Sequence, residues 1–256
     1  MSADHVTVDV ADGIATLTLN RPDKRNAMTL DMWQAVATHA TTLAGDPDVR
    51  VLVVTGSGGH FSAGADIAGF GHTDHGAVRA ANAVADDALA AFPKPSVAVI
   101  RGACVGGAAG IAAACDLRLA DATARFGITP ARLGLVYPTP DVERIVRLIG
   151  PAATKHLLFS AELIEAERAL RIGFVDELHA PEALADRVAE LTAVLTQRSL
   201  LTQMASKELV DAVAEHGTVP GEVSERWAVR VAASDDPAEG VRAFLGRRDP
   251  EFAWRP

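Results

Sequence analysis

Two short Gly/Ala turns stand out as groups that could do chemistry: Phe61-Ser62-Ala63-Gly64-Ala65-Asp66 and Gly102-Ala103-Cys104-Val105-Gly106-Gly107-Ala108-Ala109-Gly110. Each follows a hydrophobic, strand-like run. Side chains this small let a ligand approach main-chain N–H groups closely, and two such groups aimed at one carbonyl oxygen form an oxyanion hole. The second turn continues into Gly110 and alanines, so no acid adjoins its donors.

The elements that must hold these turns are legible around them. Strand signals at 6–10 and 14–19 flank the turn Asp12-Gly13, and further ones fall at 49–55, 97–101 and 117–120. Between them, Leu30, Trp33, Ala37, Ala40 and Leu43 repeat at helical spacing after Thr29, an expected N-cap, and an alanine-rich helix over 78–92 is stopped by Pro93 and Pro95. Strand and helix alternate, which predicts an α/β fold with parallel pairing. Beyond 174–178 only helical patterns remain, at 181–197, 200–214, 222–233 and 237–245, with 215–221 as the clearest linker. The chain therefore divides into an α/β core over residues 1–196 and a helical assembly region over 197–256, whose apolar helices are expected to pack on a neighbouring subunit.

At 256 residues with 49% hydrophobic content the chain can bury a sizeable core. Its net charge of −9 disfavours nucleic acid and anionic membranes as partners. An anionic ligand must be met locally. Cys104 and Cys115 read as small core residues rather than a disulfide framework, and no run approaches the ~20 apolar residues of a membrane span. A cytoplasmic protein is expected.

At these residues the chain resembles the enoyl-CoA hydratase/isomerase (crotonase) superfamily. The resemblance is carried by Leu19-Asn20-Arg21-Pro22 with Asn26-Ala27-Met28, by Ala63-Gly64-Ala65-Asp66, by Lys94-Pro95 before a strand, by the stretch 102–116 and by Phe126-Gly127. It continues in Ala166-Glu167-Arg168-Ala169-Leu170 before Gly173-Phe174-Val175, and in Glu239-Gly240 with Phe244-Leu245. It implies a crotonase-like spiral of ββα units with a C-terminal helical region, assembly as a homotrimer or homohexamer, and an acyl-CoA thioester as ligand. Coenzyme A would come as part of the substrate, with no prosthetic group and no metal.

By position, the resemblance sets the amides of Ala65 and Gly107 on the thioester oxygen. Preorganised amides in a dry pocket lower the barrier to an enolate by ~3 kcal/mol each. Ala63, Asp66 and Ile67 of the first turn are expected beside the cofactor. Arg21, Lys24 and Arg25, the first basic cluster of an acidic chain, are candidate contacts for its phosphates, and Lys207 is a further one.

Hydratases of this superfamily carry two glutamates, at the positions that hold Gly110 and Pro130 here. Adding water across a double bond requires a base and an acid, and neither glycine nor proline titrates. A different local match points elsewhere: Phe126-Gly127-Ile128-Thr129-Pro130 through Tyr137 resembles the corresponding segment of methylmalonyl-CoA decarboxylases, which also has Thr-Pro and a Tyr. That likeness sets Tyr137, the chain's sole tyrosine, against a substrate carboxylate; as an aromatic it would equally serve as a pocket wall. Loss of carbon dioxide from a malonyl-type thioester creates the enolate without a base, so the missing glutamates fit that reaction. A departure is Ala65, where those decarboxylases can carry histidine.

Other titratable groups are Asp66, the loop His72-Thr73-Asp74-His75, Asp141 and Glu143. Asp141 lies in the first turn of a helix, where the dipole favours a carboxylate whatever the chemistry, and it is also a catalytic candidate. His72 and His75 lack a third ligand at metal spacing. Three functions are thus in play: decarboxylation of a malonyl- or methylmalonyl-type CoA, hydration or isomerisation of an enoyl-CoA by acid/base groups from other positions, and acyl-CoA binding without turnover.

Overall fold

The computed structural model describes residues 5–67 and 75–256, residue 75 by its main chain only. A hairpin of β1 (Val6–Ala11) and β2 (Ile14–Leu19) turns at Asp12-Gly13, both at positive φ, and leads to α1 (Leu30–Gly45). Then come β3 (Val51–Gly56), α2 (His75–Ala90), β4 (Ser96–Ile100), β5 (Ala103–Val105), α3 (Gly107–Ala114), β6 (Leu117–Asp121) and β7 (Arg125–Gly127). The chain continues through α4 (Thr139–Ser160), β8 (Ile164–Glu165), α5 (Ala166–Arg171) and β9 (Glu177–His179) to the helices α6 (Leu184–Gln197), α7 (Leu200–His216), α8 (Gly221–Ala232) and α9 (Asp236–Gly246).

The main sheet has the order β1-β2-β3-β4-β6-β9, antiparallel only between β1 and β2, and a small sheet has the order β5-β7-β8. The parallel pairing expected from strand–helix alternation is present. All five residues of β4 are buried, because helices cover both faces of the sheet. Leu52, Val54, Ala98, Ile100 and Ala120 point into the principal core with α1, α2 and α3; Val51, Val53, Val97, Val99 and Leu119 point the other way, onto Leu184 and its neighbours of α6. The strand read at 97–101 begins one residue earlier, and β9 overlaps the stretch 174–178 after which only helices follow.

Thr29 caps α1, its hydroxyl accepting from the Met32 N–H at 3.3 Å. The other end of α1 is closed from a distance: the fully buried Lys94 donates from Nζ to the Asp46 carbonyl at 2.5 Å, a cation at the negative end of the helix dipole. Burial lowers the Lys94 pKa, and the nearby Asp46 carboxylate opposes that shift. Leu200, Leu201, Met204, Ala205 and Trp227 of α7 and α8 make an apolar cluster of their own, closed by Val223 and Trp254. On α9, Phe244 and Leu245 are exposed.

Candidate active site

Asn26 organises the first turn. Held at φ 56° and fully buried, it donates from Nδ2 to the carbonyls of Ser57 (2.9 Å), His60 (2.7 Å) and Phe61 (3.2 Å), while its Oδ1 accepts from the Arg21 N–H at 2.8 Å. The Ser62 hydroxyl donates to the Asn26 carbonyl at 2.7 Å and accepts from the Gly64 N–H at 3.1 Å. Phe61 and Ser62 then run along β5, their N–H groups donating to the carbonyls of Arg101 and Ala103, and Val105 returning its own to Ser62. This ladder ties the two turns together.

Gly64 lies at φ 88°, and a Cβ there would strike the Val105 carbonyl and come within 3.4 Å of the Gly107 nitrogen. Only glycine lets the turns approach this closely. Gly106, at φ 61°, precedes α3 and leaves the Gly107 N–H at the positive end of that helix. Among the described residues neither the Ala65 N–H nor the Gly107 N–H has an acceptor. Both residues line a cavity of about 300 Å³, together with Trp33, Asn82, Thr129, Pro130, Leu135 and Tyr137.

No carboxylate is among the described residues of that lining, and Arg79 is its charged group. Tyr137 is buried and contributes its ring, but its hydroxyl donates to the Gly106 carbonyl at 3.0 Å. Burial, then the nearby Asp141 and Asp86 charges, push its phenol pKa well above the ordinary value. The phenol stays protonated and stitched to the turn.

Asp141 sits in the first turn of α4 and does not line the cavity. It accepts from Arg144 at 3.1 Å and faces Asp86 of α2 behind Gly110. Burial raises its pKa, with Arg144 opposing the shift. Ala63 and Ile67 line the cavity, whereas the guanidinium of Arg21 donates to Asp66 Oδ2 at 2.6 Å and to the Ala27 carbonyl, bracing the first turn from outside. Lys24 and Arg25 are exposed on the same loop. Lys207 lies in a different depression, its Nζ donating to Asp116 Oδ2 at 2.9 Å and to the Lys94 carbonyl at 3.2 Å. His72 and Asp74, and the side chain of His75, lie outside the described residues.

Asn82, Asp86 and Trp33 escaped sequence reasoning as site residues. Trp33 was legible only as a helical core position; in the fold its ring packs where a Cβ on Gly107 would fall, and its Nε1 has no acceptor among the described residues. The buried thiols of Cys104 and Cys115 are free, and burial raises the pKa of both, that of Cys115 to about 12. Among the described residues no group of three or more acidic, histidine or cysteine side chains could hold a metal, and no helix is long and apolar enough to cross a membrane.

A mostly parallel sheet flanked by helices carries two glycine turns whose Ala65 and Gly107 meet over an apolar cavity. The family model for enoyl-CoA hydratase/isomerase matches residues 9–255, and the chain belongs to that family. It is 30% identical to the crotonyl-CoA hydratase of Syntrophomonas wolfei, over 98% of this chain and 99% of that one. Against the (E)-benzylidenesuccinyl-CoA hydratase of Thauera aromatica the identity is 33%, over 96% and 98%. A crystal structure of an enoyl-CoA hydratase/isomerase family member superimposes with a TM-score of 0.91 at 36% identity, covering 98% of this chain and 97% of that one. The fold is the crotonase fold, and the enzyme acts on acyl-CoA.

Proposed function

We propose that this enzyme decarboxylates a malonyl- or methylmalonyl-type CoA, holding the resulting thioester enolate on the Ala65 and Gly107 amides. The observation that carries this reading is a pair of amides, without an acceptor among the described residues, on a cavity whose described lining contains no carboxylate. Breaking the bond from the thioester Cα to the carboxyl carbon leaves its electron pair on Cα and, by conjugation, on the thioester oxygen. Two preorganised donors there stabilise that charge more than they stabilise the neutral carbonyl. A carboxylate in the lining would repel the substrate's own. The substrate carboxylate is met by Arg79 at the cavity and by the polar edge of Thr129.

Coenzyme A enters as part of the substrate, with Lys24 and Arg25 as its phosphate contacts; Arg21, already bound to Asp66, braces the turn instead. We further assign residues 197–256 to assembly as a trimer or hexamer, with the exposed Phe244 and Leu245 as contact groups. Two buried free thiols suit a reducing cytoplasm.

A second reading, hydration of an enoyl-CoA, is favoured by the names of the relatives, which are hydratases. It would have to draw its acid and base from carboxylates such as Asp141 or Glu143. Incubation with malonyl-, methylmalonyl- and crotonyl-CoA separates the readings. Release of carbon dioxide from one of the first two supports the proposal, hydration of the third alone replaces it, and saturable binding without product leaves a binding protein.

A further inference from the structure

A polar group beside the Gly107 turn is Asn82. It is 8% exposed, lines the cavity, and its Oδ1 stands 3.5 Å from where a Cβ on Gly107 would be. Its Nδ2 is occupied, donating to Asp86 Oδ2 at 2.6 Å. One helical turn deeper, a Cβ on Gly110 would come 2.7 Å from Asp86 Oδ2 and 3.2 Å from Asp141 Oδ2, so these two carboxyl groups fill the space beside that glycine. Glycines at 107 and 110 open a groove on α3, and residues 82 and 86 of α2 occupy it.

The four carboxyl oxygens can be accounted for one by one. Asp86 Oδ2 accepts from Asn82 and Asp141 Oδ1 accepts from Arg144. Asp86 Oδ1 and Asp141 Oδ2 are buried and neither has a donor. The two carboxyl groups converge on one point beside Gly110, 2.7 and 3.2 Å from where its Cβ would lie, and two buried carboxylates this close cannot both ionise without a large cost, so one proton is shared between them. Asp86 is the holder, because it is fully buried with only the Asn82 amide as a donor among the described residues, whereas Arg144 stands 3.1 Å from Asp141 and favours the charge there; burial raises the pKa of both. Among the described residues Tyr137 and Cys115 also face the pair, and Asp87, bound to Arg144, acts on Asp141 from the exposed side.

Two bonds in this row have a fixed direction, from Arg144 to Asp141 and from Asn82 to Asp86, and a proton held by Asp86 toward Asp141 would complete it. The amide of Asn82 therefore cannot turn over. We propose that the Asp86–Asp141 pair is a positioning device that presents Asn82 Oδ1 to the cavity as an acceptor, and that Asn82 holds there the water which protonates the enolate carbon. This rests on the decarboxylation reading above. Carbon dioxide leaves and its bonding pair forms the enolate; the water held by Asn82 gives one proton to Cα, and the remaining hydroxide combines with carbon dioxide as bicarbonate. A water donating its second O–H to Asn82 approaches one face of the enolate only.

Two measurements test this, and the first needs no turnover. In the infrared spectrum at neutral pH the parent protein should show the C=O stretch of a protonated carboxylic acid, lost in Asp86→Asn and kept in Asn82→Ala. Absence of that band in the parent overturns the shared proton. The second measurement uses methylmalonyl-CoA in D2O, where the parent should yield propionyl-CoA deuterated on one face of Cα. Asn82→Ala should lower kcat about tenfold with KM little changed, and should scramble the face that receives deuterium; Asn82→Gln should recover part of the selectivity. Undiminished selectivity in Asn82→Ala removes Asn82 from the step. If the parent releases no carbon dioxide, the decarboxylation reading and the water role fall together, and the infrared band still decides the carboxyl pair.

Discussion

The hydroxyl of Tyr137 donates to the carbonyl of Gly106, the residue immediately before the Gly107 donor. The phenol thus sets the peptide that turns the chain into α3. Tyr137→Phe should leave the fold intact, cost about 1 kcal/mol of stability, and lower turnover about tenfold by loosening the oxyanion turn. The comparison is of kcat, KM and denaturant midpoint in the two proteins; equal kcat would remove the hydroxyl from the reaction.

Restoring an acid at position 110 should not create a hydratase. A Cβ at residue 110 already presses on Asp86, and Gly110→Glu would bury a third carboxylate against two. The expected result is a loss of ~3 kcal/mol or more and no hydration of crotonyl-CoA. Hydration appearing in a variant as stable as the parent would show that the groove accommodates a glutamate.

Asn26 fastens three carbonyls with one amide nitrogen. Asn26→Ala leaves these buried acceptors short of a donor and puts a residue less suited to positive φ at that position, so a loss of ~3 kcal/mol is expected. Activity should fall further than stability, because the same residue aims the Ala65 amide. Thermal melting and turnover measured side by side decide it.

Asp86 also dictates how stability responds to pH. Its folded pKa is raised above the ~3.9 of an unfolded aspartate. Between those two values the folded chain keeps a proton that the unfolded chain has released, so this group's contribution to stability falls as pH rises through the window. Asp86→Asn should flatten that part of the profile. Urea midpoints for both proteins across a pH series would expose the difference, and superimposable slopes would count against the assignment.

Glu239 titrates in the opposite sense. Hydrogen bonds, first from Arg248 and then from the Glu251 N–H, lower its pKa to about 2. Its contribution is present above the unfolded glutamate value and is lost as pH falls from there toward about 2. Acidification should therefore loosen the contact between α9 and the segment around Glu251 selectively, and Glu239→Gln should loosen it already at neutral pH. Hydrogen exchange of the 247–252 amides reads this directly.

The oxyanion turns and the parallel sheet were visible in the sequence because both depend on local composition: glycines where backbones meet, and unbroken apolar runs where helices cover both faces. Asp86 was not, for a physical reason. Asp86 and Asp87 are adjacent acids in an alanine-rich helix with nothing local to tell them apart; packing against Gly110 buries the first and leaves the second 58% exposed. The available signal was the pairing of two short residues on α3, three apart, with two polar residues on α2, four apart, and it becomes meaningful only once the helices are known to touch. Arg21 and Lys207 are expected as phosphate contacts from the resemblance and their charge, and the fold gives each a carboxylate partner as well. A lone basic residue in a sequence carries no record of such partners.

The close approach of Gly64 to Gly107 has a consequence for how this protein can change. The groups proposed to grip the thioester oxygen are peptide N–H groups, which every residue except proline possesses. Substitution of most side chains around the cavity can alter what happens to the acyl chain while the grip persists. On that reading the reaction is free to drift through changes in the cavity lining, so long as Gly64, Asn26 and Tyr137 keep the two turns in place.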